Sequence, residues 1–143
     1  MSNMLIDLGL KDEKFLIDLN KLIYISEGQY SKGVHFEFRG TDANDIPNVM
    51  YFRNISFDDA TERILRMWGN SFLYVKTYDV RSDDEYNRRI IINKEYIAAV
   101  HAYGQDGSLS NIVLDRGQVL VNIDVPTIEK LMTGELKYKD VYK

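Results

Sequence analysis

Most of this chain reads as short strand-like runs, with the clearest period-two alternation at 34–39, and it switches to helical spacing twice. Val34, Phe36 and Phe38 alternate with His35, Glu37 and Arg39, the pattern of a strand with one buried and one open face. Phe15, Ile17 and Leu19 mark an earlier, mostly buried strand, followed by a turn at Asn20-Lys21. Leu22 to Ser26 is β-rich by propensity. Residues 28–33 read as a polar turn and 40–48 as a long hairpin loop rich in turn-forming residues, after which Val49 to Phe52 returns as a strand. Met4 to Leu10 reads as a short edge strand or terminal arm. The first helical stretch opens at Ser56, a good N-cap, with Asp58 and Asp59 in the first turn. Phe57, Ala60, Ile64 and Met67 or Trp68 form its apolar stripe, and Gly69 stops it.

A second run follows a similar plan. Residues 70–80 form a β-rich segment with Phe72, Tyr74, Lys76 and Tyr78 on one face, and 81–88 form a charged loop. Ile90 to Ile92, Tyr96 to Tyr103, Ile112 to Leu114 and Val119 to Ile123 read as strands, with turns at 104–107 and 115–117. Asp124 is the N-cap of a second helix, Pro126 fits its first turn, and Ile128, Leu131 and Met132 form the stripe before Gly134. The tail, 135–143, reads as an edge strand or an unpaired end. The pattern therefore predicts an α+β fold of antiparallel sheets with two helices.

The two runs echo each other over 15–69 and 89–134. Asn20-Lys21 aligns with Asn93-Lys94, Leu22 and Ile25 with Ile97 and Val100, and Arg39-Gly40 with Arg116-Gly117. Glu62 to Leu65 aligns with Glu129 to Met132 on the helices. Two readings stand: duplication of a β-hairpin-plus-helix unit, or the ordinary recurrence of that unit in α+β chains. A small sheet with one helix hides only one face poorly, so two such units gain by covering each other. The length of 143 residues fits one domain, or two very small fused subdomains, and can bury a sizeable core.

Within the second run, INKEYIAAV, NIVLDRG, VLVNID and TIEKLM resemble the FlbD-like small flagellar-operon proteins. The likeness spans residues 92–132, on turn and core positions. It implies a small, non-catalytic accessory or regulatory protein and brings no catalytic residues with it. The order of strands is also similar to that of LytTR-type DNA-binding domains, which implies a nucleic-acid-binding transcriptional regulator.

Charge and candidate chemistry narrow these readings. The net charge is −4, and neither half carries a basic excess, so the electrostatic footprint of a nucleic-acid binder is absent from the bulk composition. Cysteine is absent, which excludes disulfides, thiolate zinc sites and cysteine nucleophiles. The first residues lack the basic and apolar regions of a signal peptide, and the apolar runs are too short for a membrane span. A soluble, cytoplasmic protein is the expectation. His35 and His101, the two histidines, stand in no metal-binding spacing, and His35 reads as a solvent-facing strand residue. Asp42, Asn44 and Asp45 resemble part of a calcium loop, but Pro47 stands where glycine is needed and Arg53 where glutamate is needed. Neither a nucleophile elbow nor a glycine-rich phosphate loop is present. The expectation is a chain with no catalytic residues, no metal and no cofactor.

Tyrosine and arginine carry the remaining signal, because both anchor protein interfaces. The candidate partner-binding set is Tyr74, Lys76, Tyr78, Arg81, Asp83, Asp84, Glu85, Tyr86 and Arg88. Another protein is the expected partner, with nucleic acid through Arg81, Arg88, Arg89 and Lys94 as the alternative; a homodimer is open as well, and a membrane is not expected. One version of the first reading is an inhibitor carried by a phage or mobile element, of the anti-CRISPR or anti-defence kind. A third reading is an enzyme with a dispersed site.

Overall fold

The computed structural model describes residues 5–10, 13–28, 32–40, 48–78 and 87–142. Ten strands and three α-helices follow one another in the order β1 (Leu5–Asp7), β2 (Leu16–Asp18), β3 (Leu22–Glu27), β4 (Val34–Phe38), β5 (Asn48–Phe52), α1 (Phe57–Trp68), β6 (Phe72–Lys76), β7 (Arg89–Asn93), β8 (Ile97–Tyr103), β9 (Leu109–Leu114), β10 (Gln118–Val121), α2 (Val125–Thr133) and α3 (Tyr138–Val141). The pairing is antiparallel throughout, so the fold is α+β with antiparallel sheets. A five-stranded sheet runs β5-β4-β3-β7-β6, a three-stranded sheet runs β10-β9-β8, and β1 pairs with β2.

The five-stranded sheet is the middle layer, and β7 shows why. Its sequence, RIIIN, centres on three consecutive β-branched isoleucines, as suits a strand covered on both faces. Ile91 joins the core formed with α1 and the β1–β2 pair, whose members include Leu22, Ile25, Phe36, Phe57, Ala60 and Ile64. Ile90 and Ile92 join a second core with Leu73, Val75, Ile112, Val121, Ile128 and Leu131, under the three-stranded sheet and α2. Each such fully buried isoleucine contributes about 1.5–3 kcal/mol of transfer free energy. No helix among the described residues is long and apolar enough to cross a membrane.

Local chemistry sets the helix limits. The Ser56 hydroxyl accepts from the Asp59 N–H at 3.0 Å, and the Asp124 carboxylate accepts from the Thr127 N–H at 2.9 Å. Phe57, Ala60 and Ile64 are buried on α1; Trp68 completes the stripe, half-buried, while Met67 is exposed. The two helix-ending glycines differ. Gly134 takes the left-handed conformation, φ 83, and its N–H reaches back to the Leu131 carbonyl. Gly69 stays right-handed, φ −55 and ψ −33, and leads into a 3₁₀ turn, Gly69–Ser71.

The tail corrects the expectation of an edge strand or an unpaired end. Residues 138–141 form a short helix, and the Lys137 N–H donates to Asp140 Oδ2 at 2.7 Å. Tyr138 stacks on Tyr74 of β6 at 3.8 Å between ring centroids, while Val141 and Tyr142 pack on the second core. The tail thus straddles β6, the end strand of the middle sheet, and covers an edge that backbone hydrogen bonding leaves open.

Asn93 and Lys94 fasten the halves together. Asn93 Nδ2 donates to the carbonyls of Leu19 and Leu22, at 3.2 and 2.9 Å, and Asn93 Oδ1 accepts from the Glu95 N–H. The Tyr96 hydroxyl donates to the Asn20 carbonyl. The second Asn-Lys turn is therefore bonded to the first. Lys94 Nζ donates to the carbonyls of Asn70 and Met132, at 2.7 and 2.6 Å. These carbonyls belong to the C-terminal ends of the α1 region and of α2, where a cation is favoured.

Candidate partner-binding face

The middle sheet is covered unevenly, and two rows of side chains show where cover stops. Residues directly opposite in antiparallel strands share a face. One row runs Tyr51, His35, Ser26, Ile90, Val75 from β5 to β6, and the next runs Val49, Glu37, Tyr24, Ile92, Leu73. The β7 and β6 members are buried in the second core. The β5 members are open, with Val49 57% and Tyr51 49% exposed. The three-stranded sheet thus covers one end of the face and leaves β3, β4 and β5 as a platform.

Where the cover ends, a ledge of about 420 Å³ forms. Its floor includes Tyr24, Ser26, Glu37 and Ile90, and its wall is the β9–β10 turn with Arg116, Gly117 and Gln118. Thr77, Tyr78 and Arg88 close its third side. That side exists because the chain leaves the middle sheet after Lys76: Thr77 bridges to Val121, and the Tyr78 N–H donates to the Leu120 carbonyl at 2.8 Å. The Thr77 N–H donates to the Arg88 carbonyl, and the Arg88 N–H donates to Thr77 Oγ1. Tyr78 and Arg88, on either side of residues 79–86, therefore both lie at the ledge.

Electrostatics on the platform follow from partial burial. The Tyr24 hydroxyl donates to Glu37 Oε1 at 3.4 Å. Burial first, then the neighbouring Glu37 charge, pushes the Tyr24 phenol up to about 12. Burial raises the Glu37 carboxyl, and the Tyr24 hydrogen bond partly opposes this. His35 stacks on Tyr51 at 4.6 Å. Burial, then the Arg88 cation, holds its imidazole below the ordinary value. His35 is therefore half-buried under a tyrosine ring rather than simply facing solvent.

The sequence-derived candidates divide. Tyr78 and Arg88 meet at the ledge. Tyr74 lies on the opposite face, in the row of Phe36, Ile25 and Ile91, half-buried beneath Tyr138. Lys76 is half-buried on β6. Tyr74, Lys76 and Tyr78 are thus not one surface, because the strand changes sheets at Thr77. Arg81, Asp83, Asp84, Glu85 and Tyr86, and the Asp42–Asn44–Asp45 loop, lie outside the described residues. Tyr24, Glu37, His35 and Tyr51 complete the face without standing in the candidate set. Their signal was the period-two alternation at 34–38 and its antiparallel return at 49–52.

Tyr74 borders a larger cleft, about 800 Å³, between α1 and the α2–α3 segment, with Arg89 and Lys94 in its lining. Both cations are committed within the chain. Arg89 donates through Nε and Nη2 to Glu27 Oε2, at 3.2 and 2.8 Å, and through Nη1 to Asp58 Oδ1 at 2.8 Å. Its guanidinium lies over the Phe57 ring, and these carboxylate bonds, Glu27 foremost, hold its pKa above the usual range. Burial, then Lys137, lowers the Lys94 ammonium. Among the described residues, no group of three or more His, Cys, Asp or Glu is placed to hold a metal ion. Compared with protein-family models, curated proteins and solved structures, the chain matches none.

Proposed function

We propose that this is a non-enzymatic binding protein whose partner is another protein, held on the β3–β4–β5 platform and against the β9–β10 turn. The observation that carries the reading is the gathering of Tyr24, Tyr78 and Arg88 around one accessible concavity, with the His35–Tyr51 ring pair on the same sheet face beside it. Tyrosine and arginine bury large, semi-rigid surfaces and retain a polar end for hydrogen bonding. Inhibition by covering a partner's surface is the mode of action that asks no chemistry of the chain. A phage or mobile-element inhibitor of the anti-defence kind is one instance of it.

The test compares three tagged baits in a bacterial lysate: the wild type, the double variant Tyr51→Ala with Arg88→Glu, and the cleft variant Tyr138→Ala. The reading predicts a stoichiometric protein partner that the platform variant loses and the cleft variant keeps. Loss from the cleft variant alone, or a wild-type bait that stays bare, contradicts it. A DNA mobility shift at low salt that fades as salt is added would favour the nucleic-acid-binding alternative instead.

A further inference from the structure

The free edge of β8 is the strongest feature that the platform does not use. Among the described residues, β8 ends its sheet in the order β10-β9-β8. Its seven residues, IAAVHAY, include no proline, no glycine and no residue of fixed charge. Protected edges usually carry a lysine, a proline or a cover. β5 also ends a sheet, but the residues before it, 41–47, lie outside the described ones; β10 meets Thr77 and Tyr78, and β6 is flanked by the tail.

β3 shows what such an edge accepts. It follows the first Asn-Lys turn as β8 follows the second. Both strands slip register at the same place: between Leu22 and Tyr24 in β3, and between Ile97 and Ala99 in β8. Beyond its slip, β3 takes an antiparallel strand on its other side, with Tyr24, Ile25 and Ser26 opposite Ile92, Ile91 and Ile90. Ile25 aligns with Val100. The corresponding stretch of β8, Ala99, Val100 and His101, pairs with no strand on its other side among the described residues.

We propose that β8 pairs with β8 of a second copy of this chain, antiparallel about a two-fold axis at Val100, joining two three-stranded sheets into one of six strands. In this register Val100 faces Val100 of the other copy, Ala99 faces His101, Ala98 faces Ala102 and Ile97 faces Tyr103. The strand suits itself as a partner because no like charges meet across the axis, and like charges directly opposite destabilise a strand pair. Its alanines leave room for the backbones to approach. A two-fold interface of this kind closes at two copies rather than extending into a fibre. Strand and platform are separate surfaces, so this inference does not depend on the proposed function.

Sedimentation equilibrium on the full chain tests it with two double variants at exposed positions. Ala99→Lys with His101→Lys sets introduced lysines opposite each other, and dimerisation weakens by at least about tenfold. Ala99→Lys with His101→Glu sets each introduced lysine opposite an introduced glutamate, and the dimer persists. Thermal melts of both variants verify that they are folded. A wild type that stays monomeric at millimolar concentration overturns the proposal, as does a dimer that the double-lysine variant leaves intact. Two monomeric variants overturn the register about Val100, and assembly beyond two copies overturns the two-fold pairing.

Discussion

Among the described residues, β3 has a neighbour on each side, β4 and β7, whereas β8 has only β9. Yet both strands follow an Asn-Lys turn, both slip register near their start, and both open a three-strand meander that ends in a capped helix. The difference lies in the strand before each turn. β2 stays with β1 as a two-stranded pair, while β7 crosses into the sheet of the first half and carries β6 with it. This transfer makes the middle layer. It places Ile91 in one core and Ile90 and Ile92 in the other. Among the described residues, it also leaves two surfaces without cover, the β3–β4–β5 platform and the β8 edge. The same order of elements therefore yields different exposure, and the open surfaces are where partners fit.

The bonds that hold the transferred strand give the largest expected effects. Arg89→Ala leaves Glu27, whose side chain is 8% exposed, without its cation, and we expect a loss of about 3–5 kcal/mol in urea unfolding. The double variant Arg89→Met with Glu27→Leu recovers most of that loss, because breaking a buried pair costs more than replacing it. A double variant as unstable as Arg89→Ala would show that the pair does more than compensate buried charge. Asn93→Ala removes the bonds to Leu19 and Leu22 and takes a donor from the buried Leu22 carbonyl, for about 1–3 kcal/mol. A loss below about 0.5 kcal/mol would mean that the Asn93 bonds add nothing net to the Tyr96–Asn20 bond and the β3–β7 pairing.

The helix ends separate the halves on a smaller scale. Gly134→Ala forces alanine into φ 83, and thermal unfolding should show a cost of about 1 kcal/mol. Gly69→Ala meets open space at a right-handed φ of −55, so stability should hold or rise by about 0.5 kcal/mol. Equal costs at both sites would erase the distinction.

The smallest effect lies on the platform and appears with pH. A phenol raised by folding keeps its proton longer in the folded protein than in the unfolded chain. The unfolded chain then ionises first, and stability falls as pH climbs from 10.0 towards about 12. Tyr24→Phe should lessen that alkaline loss while changing stability at pH 7 by only about 0.5 kcal/mol, since the bond to Glu37 is long. His35 works in the opposite range. Its pKa is lowered on folding, so the unfolded chain binds the proton first. Its contribution is intact above the ordinary imidazole pKa and declines as pH falls through it. His35→Gln should flatten the acid limb of the stability profile.

Local chemistry was legible along the chain, and long-range pairing was not. The Ser56 and Asp124 caps, the stripe of Phe57, Ala60 and Ile64, and the buried run Ile90 to Ile92 are all nearest-neighbour patterns. No periodicity states that Ile91 faces Ile25, 66 positions earlier in the chain. The platform was half-visible: alternation put His35 and Glu37 on an open face, but their adjacency to Tyr24, Tyr78 and Arg88 depends on β7. The set Tyr74, Lys76 and Tyr78 divided because Thr77 leaves one sheet for another, a change that strand propensity does not encode. Gly69 reads as a left-handed stop by residue type alone, and the 3₁₀ continuation removes the need for one.

The platform is tested most directly by amide hydrogen exchange on the protein with its captured partner bound. Added protection should fall on Val34 to Phe38, Asn48 to Phe52 and Arg116 to Leu120, with the α1 and α3 cleft unchanged. Protection confined to Asp58 to Ser71 and Lys137 to Lys139, with the platform exchanging freely, would contradict the account.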